Sequence, residues 1–183
     1  MLSLSWLRRS CDNRRISRLQ FEHKGVNVQV DPPFQCAARE HLWIGDHVYI
    51  GPYAYISAIG GVRIGSGTII GPKVTIFSAN HRYEDAGAVP YDDVVIPLQV
   101  TIDEHVWIGG NVTIVPGVTI GEGCVVGAGT VVTSSFPACS VIGGNPARVL
   151  KMRDMEHYLR LKHEGKTYLK MKTAGLMTPH FDK

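Results

Sequence analysis

The chain has 183 residues, of which 44% are hydrophobic, and its formal net charge is +3. This length is typical of one domain, the hydrophobic content argues against a disordered chain, and no apolar run approaches the roughly 20 residues that span a bilayer. Residues 25–147 hold four Lys/Arg against ten Asp/Glu, whereas residues 1–24 hold six against two and residues 148–183 nine against four, so the acidic centre argues against a nucleic-acid partner.

The first 25 residues are predicted to form a partly helical N-terminal extension. Its apolar residues and arginines include Leu2, Leu4, Trp6, Leu7, Arg8, Arg9, Arg14, Arg15 and Arg18. Peripheral contact with an anionic membrane surface is one interpretation of this composition, and packing against the end of the fold is the one we favour. Because no basic region precedes the apolar start, we do not interpret the segment as a signal peptide.

A six-residue repeat dominates residues 44–142. Its aliphatic positions are Ile44, Ile50, Ile56, Ile64, Ile70, Ile76, Ile102, Ile108, Ile114, Ile120, Val126 and Val132. A glycine follows most of them, and a small or medium side chain stands four residues after most of them. A fixed short period of this kind is typical of stacked repeats. Each hexad is predicted to form a short strand and a corner, with three strands per coil and the aliphatic side chains stacked inside.

Two interruptions break the repeat. The first is a two-residue bulge around Gly60, where the step lengthens from six to eight residues. The second is a loop of residues 82–95, because Ile76 and Ile96 are twenty residues apart. Since Ile96 lies six residues before Ile102, the repeat is predicted to resume at Ile96.

Turn-forming residues at 143–148 are predicted to end the repeats, so the repeat domain is assigned to residues 26–148. Residues 149–183 are predicted to form a C-terminal helix, over 149–164, and a short tail. The apolar residues with helical spacing are Leu150, Met155, Tyr158 and Leu159.

Three short motifs accompany the repeat: Trp107-Ile108-Gly109, Gly127-Ala128-Gly129 and Gly143-Gly144-Asn145-Pro146-Ala147-Arg148. With them the chain resembles the hexapeptide-repeat acyltransferases over roughly residues 40–152. Among these it is most similar to the maltose/galactoside acetyltransferases and the O-acetyltransferases of bacterial surface polysaccharides. The resemblance implies an all-β, left-handed parallel β-helix, a homotrimer with active sites between subunits, and acetyl-CoA as co-substrate. The left-handed sense of the β-helix is implied by the resemblance alone, because the repeat spacing does not determine it.

His81 is the candidate catalytic residue. The segment Ser78-Ala79-Asn80-His81, which precedes the long loop, matches the position of the family's catalytic histidine. Transfer of an acyl group to an alcohol requires removal of the hydroxyl proton, and an imidazole is well suited to act as general base near neutral pH. We therefore predict that His81 activates the acceptor for direct attack on the thioester. A loop histidine that caps a turn is the alternative interpretation.

Polar residues near His81 are candidates for binding the acceptor. They are Asn80, which the repeat places at an inward position of its hexad, and Asp92 and Asp93 in the loop. Anchoring of the loop by Asn80 and simple solvation of the two acids are the alternatives.

Gly110 and Ala128 are 18 residues apart, hence one coil apart on the same face, and counting coils through the loop places Ser78 in the same column. Small stacked side chains leave backbone amides open, and an extended pantetheine arm fits such a groove. The resemblance likewise implies that the Gly110 and Ala128 main chain contacts coenzyme A. The Gly110 N–H is a candidate oxyanion-hole donor, and Trp107 a candidate wall of the groove.

The resemblance further implies that Thr133, Arg148 and Lys151 reach the pantetheine, adenine or phosphate end of the cofactor. One departure concerns the acceptor. Gly51 and Ile59 stand where galactoside-type enzymes hold a sugar-binding Asn and Asp. We therefore expect a glycan or lipid-linked sugar rather than a simple galactoside or maltose.

The predicted function is that of an acetyl-CoA-dependent O-acetyltransferase, without a metal, for a sugar of a surface polysaccharide or lipopolysaccharide precursor. Two alternatives remain. The acceptor could be another small molecule, such as a xenobiotic, a nucleotide-amino sugar or serine, and the acetyl group could be transferred to nitrogen instead of oxygen. A metal-dependent hydratase is disfavoured because it needs three converging histidines, and the repeats offer only His81 and His105 near their middle. A non-catalytic trimeric scaffold is disfavoured by the combination of a base with a cofactor column.

The four cysteines, Cys11, Cys36, Cys124 and Cys139, form no CxxC pair. Cys124 occupies a small-residue position of a hexad and is predicted to fill the core rather than act as a nucleophile. Reduced thiols of this kind favour a cytoplasmic location.

Overall fold

The protein folds as a parallel β-helix, as the repeat predicts. The computed structural model describes residues 21–177, so the helical content and membrane contact considered for residues 1–20 lie outside it. Three sheets of five, seven and five strands form the faces of the β-helix. Parallel pairing begins at His23, slightly before the predicted domain start at residue 26.

The strands and helices are short. In chain order the strands are β1 (His23–Lys24), β2 (Gln29–Val30), β3 (Phe34–Ala37), β4 (Leu42–Ile44), β5 (Tyr49–Ile50), β6 (Ala54–Ser57), β7 (Val62–Ile64), β8 (Ile69–Ile70), β9 (Thr75–Phe77), β10 (Ala79–His81), β11 (Val95–Pro97), β12 (Val100–Ile102), β13 (Trp107–Ile108), β14 (Thr113–Ile114), β15 (Thr119–Ile120), β16 (Val125–Val126), β17 (Val131–Val132), β18 (Ser140–Gly143) and β19 (Arg148–Met152). The helices are a 3₁₀ turn (Arg39–His41), α1 (Met155–His163) and α2 (Tyr168–Thr173).

Each face of the β-helix is one sheet. The first sheet contains β1, β4, β7, β12 and β15, the second β2, β5, β8, β13, β16, β18 and β19, and the third β3, β6, β9, β14 and β17. Successive strands of one coil thus belong to different sheets, and each pairs with the strand one coil away.

The inward aliphatic residues of the hexads form the core. In the first sheet, strand register aligns Ile44, Ile64, Ile102 and Ile120, each at most 1% exposed. The other two sheets stack their own columns of buried Ile and Val in the same way. Burial of each such side chain contributes about 1.5–3 kcal/mol, so the stacked columns account for much of the stability of the β-helix.

The turn at Gly60 and Gly61 requires glycine. A Cβ atom on Gly60 would lie 1.9 Å from the Ser78 carbonyl oxygen, and Gly61 has a φ of +90°. The predicted bulge is therefore present, and it lets the coil pass close beneath the next one.

The predicted loop of residues 82–95 is part of a longer segment that leaves the β-helix. The prediction that the repeat resumes at Ile96 is therefore wrong. Strands β10 and β11 pair antiparallel, with Asn80 opposite Ile96, and form a hairpin that leaves the β-helix. Ile96 is 39% exposed, and the core resumes only at Val100 and Ile102. Without β11, the backbone N–H and C=O groups of β10 would form an unpaired edge. Residues 95–97 pair with this edge instead of continuing the parallel repeat.

The predicted helix over 149–164 begins later than expected. Arg148–Met152 forms β19, which pairs antiparallel with β18, and α1 starts only at Met155. Strand β18 ends the stack of parallel strands, and β19 satisfies its remaining edge. The Asp154 side chain caps α1 by accepting a 2.9 Å hydrogen bond from the His157 N–H. Within residues 21–177 no helix is long and apolar enough to cross a membrane.

Candidate active site

His81 stands at the tip of β10, where the hairpin leaves the β-helix. Its side chain is exposed, and its backbone lies opposite Val95 of β11. The imidazole ring stacks on the ring of Tyr91, with 4.0 Å between the ring centroids and 18° between their planes. The hairpin thus presents an accessible imidazole that stacks on an aromatic neighbour.

The loop between the two hairpin strands is closed by Asp92. Its side chain is 7% exposed, forms an ion pair with Arg82, and accepts N–H groups of Gly87 at 3.0 Å and Val94 at 3.1 Å. The Arg82 guanidinium, helped by the Gly87 amide, lowers the pKa of Asp92 to about 2. These loop groups already occupy the Asp92 carboxylate, so Asp92 secures the loop, and its role in acceptor binding stays a prediction. Asp93 is exposed.

Asn80 does not occupy the inward position that the repeat predicts for it. Ser78 takes the last fully buried position, and its hydroxyl donates to the Ser57 carbonyl at 2.7 Å. Asn80 is exposed, and its side-chain oxygen accepts the His81 backbone N–H at 3.0 Å. The chain has already left the coil at Asn80, so hexad counting fails there. Asn80 instead helps to set the backbone at His81.

Gly110 and Ala128 stack one coil apart, as predicted. The carbonyl of Gly110 accepts the Gly129 N–H at 2.9 Å, and Trp107–Ile108 pairs with Val125–Val126. Within residues 21–177, neither the Gly110 N–H nor the Ala128 N–H donates a hydrogen bond. One corner of the β-helix therefore holds two amide donors without a hydrogen-bond partner among the described residues.

Ser78 does not belong to this column, so that part of the prediction is wrong. Ile70 pairs with Ile108, and the carbonyl of Pro72, two residues later, accepts the Asn111 N–H at 2.9 Å. The column is therefore Pro72, Gly110 and Ala128. Counting through the loop failed because the hairpin takes more residues out of the coil than the hexad count allows.

Trp107 projects from the second sheet, where Ile69 and Val125 are its strand partners, and it is 58% exposed. It borders a cavity of about 410 Å³ between this sheet and the two C-terminal helices. The lining of this cavity includes neither His81 nor Gly110. Trp107 thus stands on the face beside the Gly110 corner.

Thr133, Arg148 and Lys151 lie at the C-terminal end of the β-helix and are exposed. Thr133 follows β17, whereas Arg148 and Lys151 belong to β19. The Arg148 guanidinium donates to the Ala147 carbonyl at 2.8 Å. Arg148 and Lys151 therefore place positive charge at the C-terminal end of the β-helix, farther along the chain than Gly110 and Ala128.

One chain does not bring His81 and Gly110 together. Gly110 precedes β14, and His81 follows β9, which is paired with β14 in parallel. The two residues therefore lie at opposite ends of the third sheet, on the order of 15 Å apart along the strand direction. A site that uses both residues requires a second chain.

Sequence reasoning missed a polar cluster beneath α1, formed by Glu104, His105, Glu122, Tyr158 and Lys162. Glu122 accepts the Tyr158 hydroxyl and the Lys162 ammonium, each at 2.7 Å, and Lys162 also lies 3.2 Å from Glu104. Burial raises the pKa of Glu122, but the Lys162 and Tyr158 hydrogen bonds outweigh it and leave that pKa lowered. Through this Glu122 cluster, Tyr158 and Lys162 of α1 contact Glu104 and Glu122, which lie at the corners of two neighbouring coils. The members of the cluster come from three separate stretches of the sequence and carry no motif.

Within residues 21–177, no group of three or more His, Cys, Asp or Glu side chains is arranged to hold a metal ion. Cys124 is fully buried, and its thiol donates to the Pro137 carbonyl at 3.1 Å, as expected for a core residue.

Comparison with known proteins gives consistent results. The family model for bacterial transferase hexapeptide (six repeats) matches residues 41–78 and 99–134, and the gap between them is the hairpin. Nodulation protein L of Rhizobium leguminosarum bv. viciae is 40% identical over 161 residues, which cover 81% of this chain and 82% of that protein.

Two solved structures are similar in fold and sequence. A hexapeptide-repeat acetyltransferase of Vibrio cholerae O1 biovar eltor, in complex with acetyl coenzyme A, has a TM-score of 0.70 and 33% identity, covering 82% of this chain and 79% of that one. A galactoside acetyltransferase in complex with coenzyme A has a TM-score of 0.70 and 30% identity, covering 86% of this chain and 76% of that one.

Proposed function

Because the chain belongs to the bacterial hexapeptide-repeat transferases and is an acyltransferase, we propose that it transfers an acetyl group from acetyl-CoA to a sugar hydroxyl of a surface polysaccharide or lipopolysaccharide precursor. The observation that carries the proposal is the pair of N–H groups of Gly110 and Ala128, which are stacked one coil apart and donate no hydrogen bond within residues 21–177. Their spacing suits the amides of an extended pantetheine arm.

Cofactor binding extends along this corner. The acetyl-CoA and coenzyme A complexes of the two similar structures support the donor that we assign. Trp107 stands beside the groove, while Thr133, Arg148 and Lys151 lie at the end that the phosphates would reach. The positive charge of residues 148–183 favours a phosphorylated cofactor here.

The chemistry needs one base and one oxyanion donor. His81 accepts the proton of the acceptor hydroxyl as that oxygen attacks the thioester carbonyl. The Gly110 N–H stabilises the negative charge on the carbonyl oxygen of the tetrahedral intermediate. When the carbon–sulfur bond breaks, the imidazolium returns the proton to the leaving thiolate, so no covalent enzyme intermediate or metal is needed.

The active enzyme is a homotrimer with a site between each pair of neighbouring subunits. The separation of His81 and Gly110 within one chain supports this proposal, because a site that uses both residues is incomplete without a neighbouring subunit. Acetyl-CoA supply and the free thiols of Cys36, Cys124 and Cys139 support a cytoplasmic location.

Product identification tests the acceptor. The purified protein would be incubated with acetyl-CoA and a panel of glycans, lipid-linked sugars and sugar nucleotides, including amino sugars. Mass spectrometry and NMR of the products are expected to show one added acetyl ester on a sugar oxygen. Acetylation of an amine alone, or of a non-sugar acceptor alone, would contradict the proposal, and absence of both turnover and coenzyme A binding would favour a scaffold.

Subunit mixing tests the shared site. His81→Ala and Gly110→Pro are each expected to be inactive, because one lacks the base and the other the oxyanion donor. After the two variants are dissociated and reassembled at equal ratio, about a quarter of the interfaces combine an intact His81 with an intact Gly110. Activity near that level supports sites between subunits, whereas mixed samples as inactive as the parents would contradict them.

A further inference from the structure

The ring of His81 has an aromatic neighbour. Tyr91 lies flat against it, with ring centroids 4.0 Å apart and planes inclined by 18°. Within residues 21–177, no carboxylate or other group hydrogen-bonds to either imidazole nitrogen. The usual means of orienting a catalytic histidine, an acceptor on its second nitrogen, is thus not supplied by residues 21–177.

We propose that Tyr91 is a positioning residue for His81, which sets the plane of the imidazole through ring stacking and stabilises the imidazolium that forms when the acceptor proton is taken. The proposal rests on the function proposed above for His81. Stacking restrains the plane of the imidazole, so that its ring nitrogens stay in that plane as the acceptor approaches. The face of a phenol ring also attracts a cation.

The hairpin is built to hold Tyr91 at this distance. Arg82 follows His81, Asp92 follows Tyr91, and these two neighbours form the ion pair of the loop. The Arg82 N–H donates to the Val94 carbonyl at 3.0 Å, and the Asp92 N–H donates to the Arg82 carbonyl at 3.3 Å. Because these bonds join the residues directly after each ring, they fix both rings relative to each other.

The stack uses the face of Tyr91 and not its hydroxyl. Tyr91 is 47% exposed, and its hydroxyl forms no hydrogen bond within residues 21–177. Tyr91→Phe therefore keeps the stacked ring, whereas Tyr91→Leu removes it. Tyr83, in the same loop and 65% exposed, has no ring contact with His81, so Tyr83→Leu is a matched control for loss of a loop tyrosine.

The first readout is spectroscopic and does not depend on activity. In the full chain labelled with ¹³C-histidine, the His81 ring signal is assigned by its loss in His81→Ala. Stacking on an aromatic face shifts this signal upfield, so Tyr91→Leu is expected to move it downfield while Tyr91→Phe and Tyr83→Leu leave it in place. An unchanged signal in Tyr91→Leu would overturn the proposal, because the rings would not be stacked in solution.

The second readout is kinetic. Tyr91→Leu is expected to lower kcat roughly tenfold or more with little change in the KM for acetyl-CoA, since misplacement of a reacting group affects the chemical step. Tyr91→Phe and Tyr83→Leu are expected to match the wild type. A shifted signal with unchanged kcat would overturn the positioning role while leaving the proposed function intact. Wild-type protein without any turnover would instead overturn the proposed function, and the role of Tyr91 with it.

Discussion

The Tyr158 hydroxyl donates a 2.7 Å hydrogen bond to a carboxylate oxygen of Glu122, and this bond joins α1 to a corner of the β-helix. Tyr158 is 7% exposed, and the Arg153 guanidinium lies 5.0 Å above its ring. We therefore expect these Tyr158 contacts to contribute to the free energy with which α1 packs on the β-helix.

Removal of the Tyr158 hydroxyl should loosen α1 less than removal of the ring. Tyr158→Phe loses one hydrogen bond to a charged group, which costs about 1.5–3 kcal/mol, whereas Tyr158→Ala also loses the buried ring, for a total of about 3–5 kcal/mol. Hydrogen exchange of the α1 amides measures both. Unchanged protection in Tyr158→Phe would show that the Glu122 bond contributes nothing to docking.

The attachment of α1 should weaken as the pH falls below about 6.5. Burial lowers the pKa of His105, and the nearby Glu104 only partly offsets this. Between its pKa in the unfolded chain and its lower pKa in the folded chain, His105 is protonated in the unfolded state but neutral in the folded state. The free energy of unfolding therefore decreases as the pH falls through this range.

His105→Asn is the suitable control for this pH effect, because His105 has a φ of +57° and asparagine tolerates that conformation. The thermal midpoint of the wild type is expected to fall more steeply between pH 7 and pH 5 than that of His105→Asn. Parallel pH profiles for the two proteins would refute the role of His105.

The Gly110 N–H is testable with a proline. A Cβ atom on Gly110 would lie 3.2 Å from the carbonyl oxygen of Pro72, which stands at the equivalent corner position one coil earlier. Gly110→Pro and Gly110→Ala therefore both crowd Pro72, and only the proline also removes the N–H group. The kcat of Gly110→Pro is expected to fall about 10²–10³-fold, the usual effect of losing an oxyanion donor. Gly110→Ala, which keeps the N–H, is expected to retain most activity. Similar kcat values for the two variants would contradict the oxyanion role.

Thiol reagents should not inactivate the enzyme through Cys36, Cys124 or Cys139. Burial raises the pKa of Cys36 to about 12 and also raises those of Cys124 and Cys139, so few thiolates are present at pH 8. Iodoacetamide treatment followed by peptide mass mapping is expected to find these three thiols largely unmodified while activity persists. Rapid labelling of Cys124 with parallel loss of activity would contradict direct acetyl transfer.

The repeat was sufficient to predict the fold because burial in a β-helix has the same period as the sequence. Ile108 and Ile114 are buried where the hexads place them, and the one-coil stacking of Gly110 and Ala128 follows from the same count. This local rule fails where the chain leaves the coil. Ile96 keeps the hexad spacing but pairs antiparallel in the hairpin, a long-range contact that periodicity does not encode.

Other features depended on partners that are remote in sequence. Tyr158 has helical spacing with its neighbours, but nothing in that spacing points to Glu122. The stack of Tyr91 on His81 likewise depends on the closed loop, which Asp92 secures through Arg82. Sequence reasoning therefore found the residues of the candidate site without the contacts that orient them.

Acceptor-dependent release of free thiol from acetyl-CoA, with wild type measured beside His81→Ala, tests the central claim most directly. The wild type is expected to release thiol with at least one glycan or lipid-linked sugar of the panel. His81→Ala is expected to lose about 10²–10⁴-fold in rate, the usual contribution of a general base, while still binding coenzyme A. Thiol release that is equally fast in His81→Ala would contradict the mechanism.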